Sequence, residues 1–157
     1  GDPGRGTKLL ETTLPLFRAG RYMPALLQSM LILGEGYWLA GRYDEARTLL
    51  DEILVTSRKC GARGYLAWAC RILGEVNLEI DLHRAGPLLE ESVSLFGSMG
   101  ADNELAKSWA GQGRYLARSG KTREAKECLT KALDTFERLG TLIEPDKVRK
   151  ELAGLLE

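Results

Sequence analysis

Residues 105–140 read LAKSWAGQGRYLARSGKTREAKECLTKALDTFERLG, two apolar-periodic segments of roughly seventeen residues separated by Ser119-Gly120-Lys121. Trp109, Gln112-Gly113, Leu116, Ala125, Leu129 and Ala132 fall at helical spacings, with small residues where two helices would have to approach closely. The same layout occurs upstream, where Gly34, Tyr37, Gly41, Ala46 and Leu50 match Gly113, Leu116, Gly120, Ala125 and Leu129. Between them, Gly74, Asn77, Asp81, Ala85 and Leu89 repeat it less strictly. The small anchor recurs at 34, 74 and 113, and the following alanine at 46, 85 and 125, so the period is 39 to 40 residues. A period of that length is one helical hairpin per unit, stacked into a solenoid.

Turn residues mark the same spacing. Gly20, Gly41, Gly61, Asp81, Gly100, Gly120 and Gly140 lie 19 to 21 residues apart. Glycine tolerates the left-handed conformation that closes many helices, and aspartate can also cap or turn. The intervals are too long for strands and lack alternation of period two. They predict helices at 22–40, 43–59, 63–80, 83–98, 102–119 and 122–138, with short connections that make neighbours antiparallel. Pro24 and Pro87 are expected in N-terminal turns, where a missing amide hydrogen costs least, and Asp102 as a helix cap. At Asp81 a slightly altered turn is expected, because the interval from Gly74 to Ala85 is one residue short.

The ends read differently. Residues 1–6, GDPGRG, offer nothing to bury and are expected to be disordered or a non-native remnant. Leu10, Leu14 and Phe17 form a helical stripe over residues 7–19, which Pro15 is expected to break or delay. Residues 144–156 predict a further helix, with Pro145 in its first turn and Val148, Leu152, Leu155 and Leu156 on one side. Its expected task is to cap the last hairpin. The chain from 7 to 157 therefore reads as one all-α domain, an α–α superhelix with core repeats over 22–139.

The bulk composition fits that reading. A chain of 157 residues with 44% hydrophobic content can build one core, and 22 basic residues against 22 acidic ones leave no net charge. Neither nucleic acid nor an anionic membrane is the expected partner. No stretch is long and apolar enough to span a bilayer. Cys60, Cys70 and Cys128 are odd in number and far apart, which points to free thiols in a reducing, cytoplasmic setting.

These helix pairs resemble tetratricopeptide repeats. The family pattern places Trp, Leu-Gly and Tyr on a first helix, then Ala, Phe and Ala-Pro on a second. The last repeat here carries Trp109, Gln112-Gly113, Leu116, Ala125, Leu129 and Ala132. The first complete one carries Leu33-Gly34, Tyr37, Ala46, Leu50 and Ile53, and the middle one Leu73-Gly74, Asn77, Ala85, Leu89 and Val93. The period exceeds the family's usual value of about 34 residues and the closing proline is missing. The chain looks like the longer-helix variety of bacterial regulatory proteins, and its end, FERLGTLIEPDKVRKEL, resembles the close of repeat regions in large bacterial signalling proteins.

If the first helix of each pair lines the concave side, as the resemblance implies, the groove is formed by Gln28, Leu31, Glu35 and Trp38, then Trp68, Arg71, Glu75 and Leu78, then Lys107, Ala110, Arg114 and Ala117. Glu79 and Arg118 lie beside the same tracks. The expected groove is aromatic and acidic at one end and basic at the other. Trp109 belongs to the packing pattern, whereas Trp38 and Trp68 are open to either packing or ligand contact. Lys107, Arg114 and Arg118 share one helical face, which suits either solvent or an acidic peptide. The family's carboxylate clamp is not expected, because Glu35 and Glu75 stand where an amide would be useful.

Motifs for bond-making chemistry are missing from the sequence. His83 is the sole histidine, the cysteines lack metal-ligand spacing, and GDPGRG lacks the GxxxxGK[ST] form of a phosphate loop. No cofactor or metal is expected. The sequence reading is a scaffold that binds a protein or peptide, with self-association as a further possibility. A ligand-sensing module attached to an output domain, a homodimerisation module and an enzyme built around His83 are the alternatives.

Overall fold

Five glycines, Gly41, Gly61, Gly100, Gly120 and Gly140, hold φ between 65° and 76°, and each closes a helix. A side chain at these positions would meet the left-handed backbone penalty, which is why the spacing is so regular. The computed structural model describes the backbone of residues 3–20 and 22–155, with side chains described from residue 6. Eight helices and no strand occur among the described residues: α1 (Pro3–Ala19), α2 (Met23–Leu39), α3 (Tyr43–Cys60), α4 (Arg63–Ile80), α5 (Leu82–Met99), α6 (Asp102–Arg118), α7 (Thr122–Leu139) and α8 (Glu144–Gly154). Consecutive helices pack on one another throughout, and α2, α4 and α6 also meet across the repeats. This is a helical-hairpin solenoid.

The recurrent small residues have a steric reason. A Cβ built on Gly34 would lie 3.1 Å from Leu50, on Gly74 2.6 Å from Leu89, and on Gly113 2.7 Å from Leu129. In each hairpin a leucine of the second helix therefore sits on bare backbone of the first. The alanines that follow, Ala46, Ala85 and Ala125, are fully buried beside these contacts. One large cluster joins α2, α3 and α4 around Leu50, Ile53, Leu73 and Val76, and a second joins α6, α7 and α8 around Leu129, Phe136 and Val148.

Several local expectations are corrected. α1 runs through Pro15 without a break, and α5 carries Pro87 inside it, not in its first turn. Both prolines are exposed, so water can meet the carbonyl that each leaves without an amide partner. Residues 3–6 of the expected disordered end form the start of α1, while residues 1 and 2 lie outside the described ones. Asp102 is inside α6 and makes no cap; it accepts a hydrogen bond from Arg138 at 2.8 Å. Asp81 serves as both the end of α4 and the start of α5, with φ −156°, so the connection lacks the left-handed glycine of the five turns above; Gly20, expected to be such a residue, does not hold a positive φ either.

Pro145 occupies the first turn of α8 as expected. Val148 is 2% exposed and reaches the cluster around Phe136, with Leu152 and Leu155 packed partly against it. The part of the expected helix beyond residue 155 lies outside the described residues.

Candidate functional site

The first helices of successive hairpins, α2, α4 and α6, together with α8, border two adjoining hollows on one face of the solenoid. The larger, about 290 Å³, is lined by Glu35, Trp38, Leu39, Arg71, Glu75, Lys107, Ala110, Arg114, Phe136, Glu144, Lys147 and Val148. The smaller, about 140 Å³, is lined by Gln28, Leu31, Ile32, Glu35, Trp68, Arg71, Ile72, Glu104 and Lys107. Glu35, Arg71 and Lys107 border both, so the hollows form one continuous groove.

Of the residues singled out from the sequence, Gln28, Leu31, Glu35, Trp38, Trp68, Arg71, Glu75, Lys107, Ala110 and Arg114 come together there. Leu78, Ala117 and Arg118 do not line it. Arg118 instead donates to the Leu78 carbonyl and, at 2.7 Å, to Glu79, tying α6 to the end of α4.

Charges in the groove are interleaved, which corrects the expected division into an acidic and a basic end. Arg71, only 7% exposed, lies 3.5 Å from Glu35 and 3.3 Å from Glu104. Glu104 also accepts hydrogen bonds from the Trp68 indole at 2.8 Å and the Lys107 ammonium at 2.9 Å. Burial alone would raise the Glu104 carboxyl, but the Arg71 charge and the Lys107 and Trp68 hydrogen bonds outweigh it and hold it below its ordinary value.

A second network lies one turn along. The Arg114 guanidinium forks onto both oxygens of Glu75, with Nε at 3.2 Å from Oε2 and Nη2 on Oε1, and Nη1 donates to Glu151 of α8 at 2.8 Å. Glu75 is 5% exposed, and its fit depends on Gly111, where a Cβ would stand 2.7 Å from Glu75 Oε1. Burial opposes the Arg114 charge, yet the two carboxylates hold its pKa above the ordinary arginine value. Burial dominates at Glu151 and raises its carboxyl despite Arg114. The Glu151 Oε2 atom is buried without a hydrogen-bond partner.

Apolar walls complete the groove. Trp38 and Trp68 are both half-buried and packed against the core cluster of α2–α4, and Trp109 packs beside the cluster of α6–α8. Each groove tryptophan therefore has a structural role, with part of its surface left for contact. Sequence reading missed Glu104, Phe136, Glu144, Lys147, Val148 and Glu151. A signal was present: Glu144 and Lys147 repeat Glu104 and Lys107 at a spacing of 40, so extending the period into the tail places α8 on the groove.

A family model described as tetratricopeptide repeat matches residues 27–52, most of α2 and the first part of α3. Among curated proteins none matches the chain. The crystal structure of BtubC (BKLC) from P. vanneervenii superposes with a TM-score of 0.78 at 17% identity, covering 99% of this chain. The match spans 66% of that protein's length. The crystal structure of MamA protein superposes with a TM-score of 0.55 at 19% identity, covering 98% of this chain and 89% of that one. The fold is that of tetratricopeptide-like helical repeats.

Among the described residues, no group of three or more His, Cys, Asp or Glu is placed to hold a metal ion. His83 lies away from the groove, in a shallow hollow with Arg58 and with Asp51, whose carboxylate is taken by Arg84 at 2.9 Å. Cys70 is fully buried and burial pushes its thiol up, away from the reactive thiolate. Among the described residues, no helix is long and apolar enough to cross a membrane.

Proposed function

We propose that the chain is a protein-interaction module that receives a segment of a partner protein in the groove bordered by α2, α4, α6 and α8. The observation that carries this reading is the groove's construction. Trp38, Leu39, Ile32 and Trp68 provide accessible apolar surface, while Glu35, Lys107, Glu144 and Lys147 supply polar groups of both signs. Such a lining suits a segment with apolar anchors and flanking charges of both signs, read by position along the groove. The resemblance to tetratricopeptide repeats supports it further, as does the alternation of first helices along one face. A regulatory role within a larger bacterial signalling protein, in the cytoplasm, is the setting proposed for the module.

The test is a screen of a displayed peptide library against the chain, followed by binding isotherms for W38A and K107E. Both substitutions should weaken the selected peptides at least about tenfold, a loss of roughly 1.4 kcal/mol, with helicity by circular dichroism unchanged. Peptides that bind both variants as tightly as the native chain would place recognition elsewhere and discard the groove.

A further inference from the structure

Arg71, on α4 in the middle of the solenoid, is 7% exposed and lines both hollows of the groove. Its Nε is buried without a hydrogen-bond partner. It is held by charge alone, through Nη2 at 3.5 Å from Glu35 and Nε at 3.3 Å from Glu104. Arg114 differs, because its guanidinium donates hydrogen bonds to Glu75 and Glu151. A guanidinium carries five N–H donors, and leaving them unmet in a buried place is costly. Arg71 therefore keeps donor capacity that the fold does not use.

Glu35 is the matching acceptor. Its side chain is 42% exposed, and 3.5 Å is too long for a good hydrogen bond to Arg71. The other acid is already engaged: Glu104 accepts from the Trp68 indole, from Lys107 and from Asn103. The smaller hollow, about 140 Å³, thus sets one unused donor beside one unused acceptor. Arg71 and Lys107 balance Glu35 and Glu104, so the hollow carries no net formal charge. An incoming carboxylate would add a charge with no counterpart, and an aliphatic end would leave Arg71 unmet. A primary carboxamide has an acceptor and a donor on one uncharged, planar end. Ile32, 48% exposed, and the half-buried Trp68 offer apolar surface to the methylenes behind it. A main-chain amide carries chain on both sides and does not end in so small a hollow.

We propose, building on the reading of the groove as a peptide site, that the smaller hollow is a pocket for an Asn or Gln side chain of the partner segment. The carboxamide oxygen accepts from the Arg71 guanidinium, and its NH2 group donates to Glu35. Arg71 and Glu35 border the larger hollow as well, so the same segment continues from this pocket onto Trp38 and Leu39.

The experiment uses peptides selected from the displayed library, each remade with its Asn or Gln replaced by the acid of the same length or by an aliphatic residue. Binding isotherms at neutral pH compare the native chain with E35Q, a change at a half-exposed position, with circular dichroism as the control for folding. Selected peptides should share an Asn or Gln at one place. The native chain should bind the carboxamide form at least about tenfold more tightly than either replacement. E35Q leaves Arg71 and Lys107 facing Glu104 alone, and should lose the preference over the acid. Selected peptides with no shared Asn or Gln, equal binding of the three forms, or an E35Q chain that keeps the full preference would each overturn the pocket. In those cases a loss of affinity in W38A shows that the groove still binds. A library without binders, or binders indifferent to W38A, removes groove and pocket together.

Discussion

Replacing Arg114 with methionine keeps the aliphatic stem and removes the charge that joins α4, α6 and α8. Glu75, 5% exposed, would then lack the guanidinium that forks onto it, and Glu151 would lose its ion pair with Arg114. Breaking a buried pair from one side typically costs about 3–5 kcal/mol. The Arg114 and Glu151 side chains are 31% and 30% exposed, so water reaches part of the network and the expected loss is smaller, about 2–3 kcal/mol. For a chain of this size that corresponds to a melting point lower by roughly 5–10 °C. Urea denaturation of R114M, E75Q and the double variant measures it. The double variant should be more stable than the sum of the single losses predicts, by at least about 1 kcal/mol, because E75Q removes the charge that R114M strands. Hydrogen exchange should show the largest loss of protection in α8, which Arg114 holds through Glu151. A cost for R114M below about 0.5 kcal/mol, or strictly additive effects, would refute the account of the groove floor as one coupled ionic network.

Other substitutions test separate steps. Gly74→Ala puts a Cβ 2.6 Å from Leu89 and should cost about 1–3 kcal/mol by urea denaturation, whereas Gly97→Ala, whose nearest neighbour is Leu105 at 4.0 Å, should gain about 0.5–1 kcal/mol from helix propensity. Trp68→Phe keeps the ring packing but loses the indole hydrogen bond to Glu104, and should cost about 1.5–3 kcal/mol, with recovery when paired with E104Q. Glu104 and Glu151 should leave opposite marks on the pH dependence of stability. Glu104 is depressed below 4.5 in the fold, so its contribution is present above 4.5 and lost as pH falls through the lower folded value; E104Q should flatten that acid limb. Glu151 is raised above 4.5, so its contribution is full below 4.5 and lost as pH rises through the folded value; E151Q should remove that part of the slope. Urea midpoints from about pH 3 to 8 measure both.

Helix positions were legible because they rest on local chemistry. A glycine at φ near 70° every twenty residues, and small residues at 34, 74 and 113, are demands of the backbone and of a single facing leucine. Pro15 and Pro87 misled because a proline's cost depends on whether its side of the helix meets solvent, which the neighbouring helices decide. The groove residues on α2, α4 and α6 followed from the repeat register. Their pairing did not, since Arg71 and Glu104, or Arg114 and Glu75, lie more than thirty residues apart and meet through the superhelical offset between repeats. Gly111 shows the same limit: its small size reads as one more packing position, yet it makes room for the Glu75 carboxylate.

That pairing shapes how the groove can recognise anything. A floor of open cations would attract acidic segments at long range and bind them with little regard to sequence. Here Arg71 already lies between two carboxylates and Arg114 between two more, so a carboxylate arriving at either must compete with a partner that pre-exists in the fold. Affinity must then come chiefly from apolar contact with Trp38, Leu39 and Trp68, while the half-exposed Glu35 and Lys107 set register. Raising the salt concentration should therefore weaken partner binding only slightly, because few ions are released that the folded chain has not already displaced. Isotherms of a selected peptide at about 50 and 500 mM salt should differ by less than roughly tenfold. A steeper dependence would mean that the internal pairs open to admit the ligand, and that the floor is a recognition element in its own right.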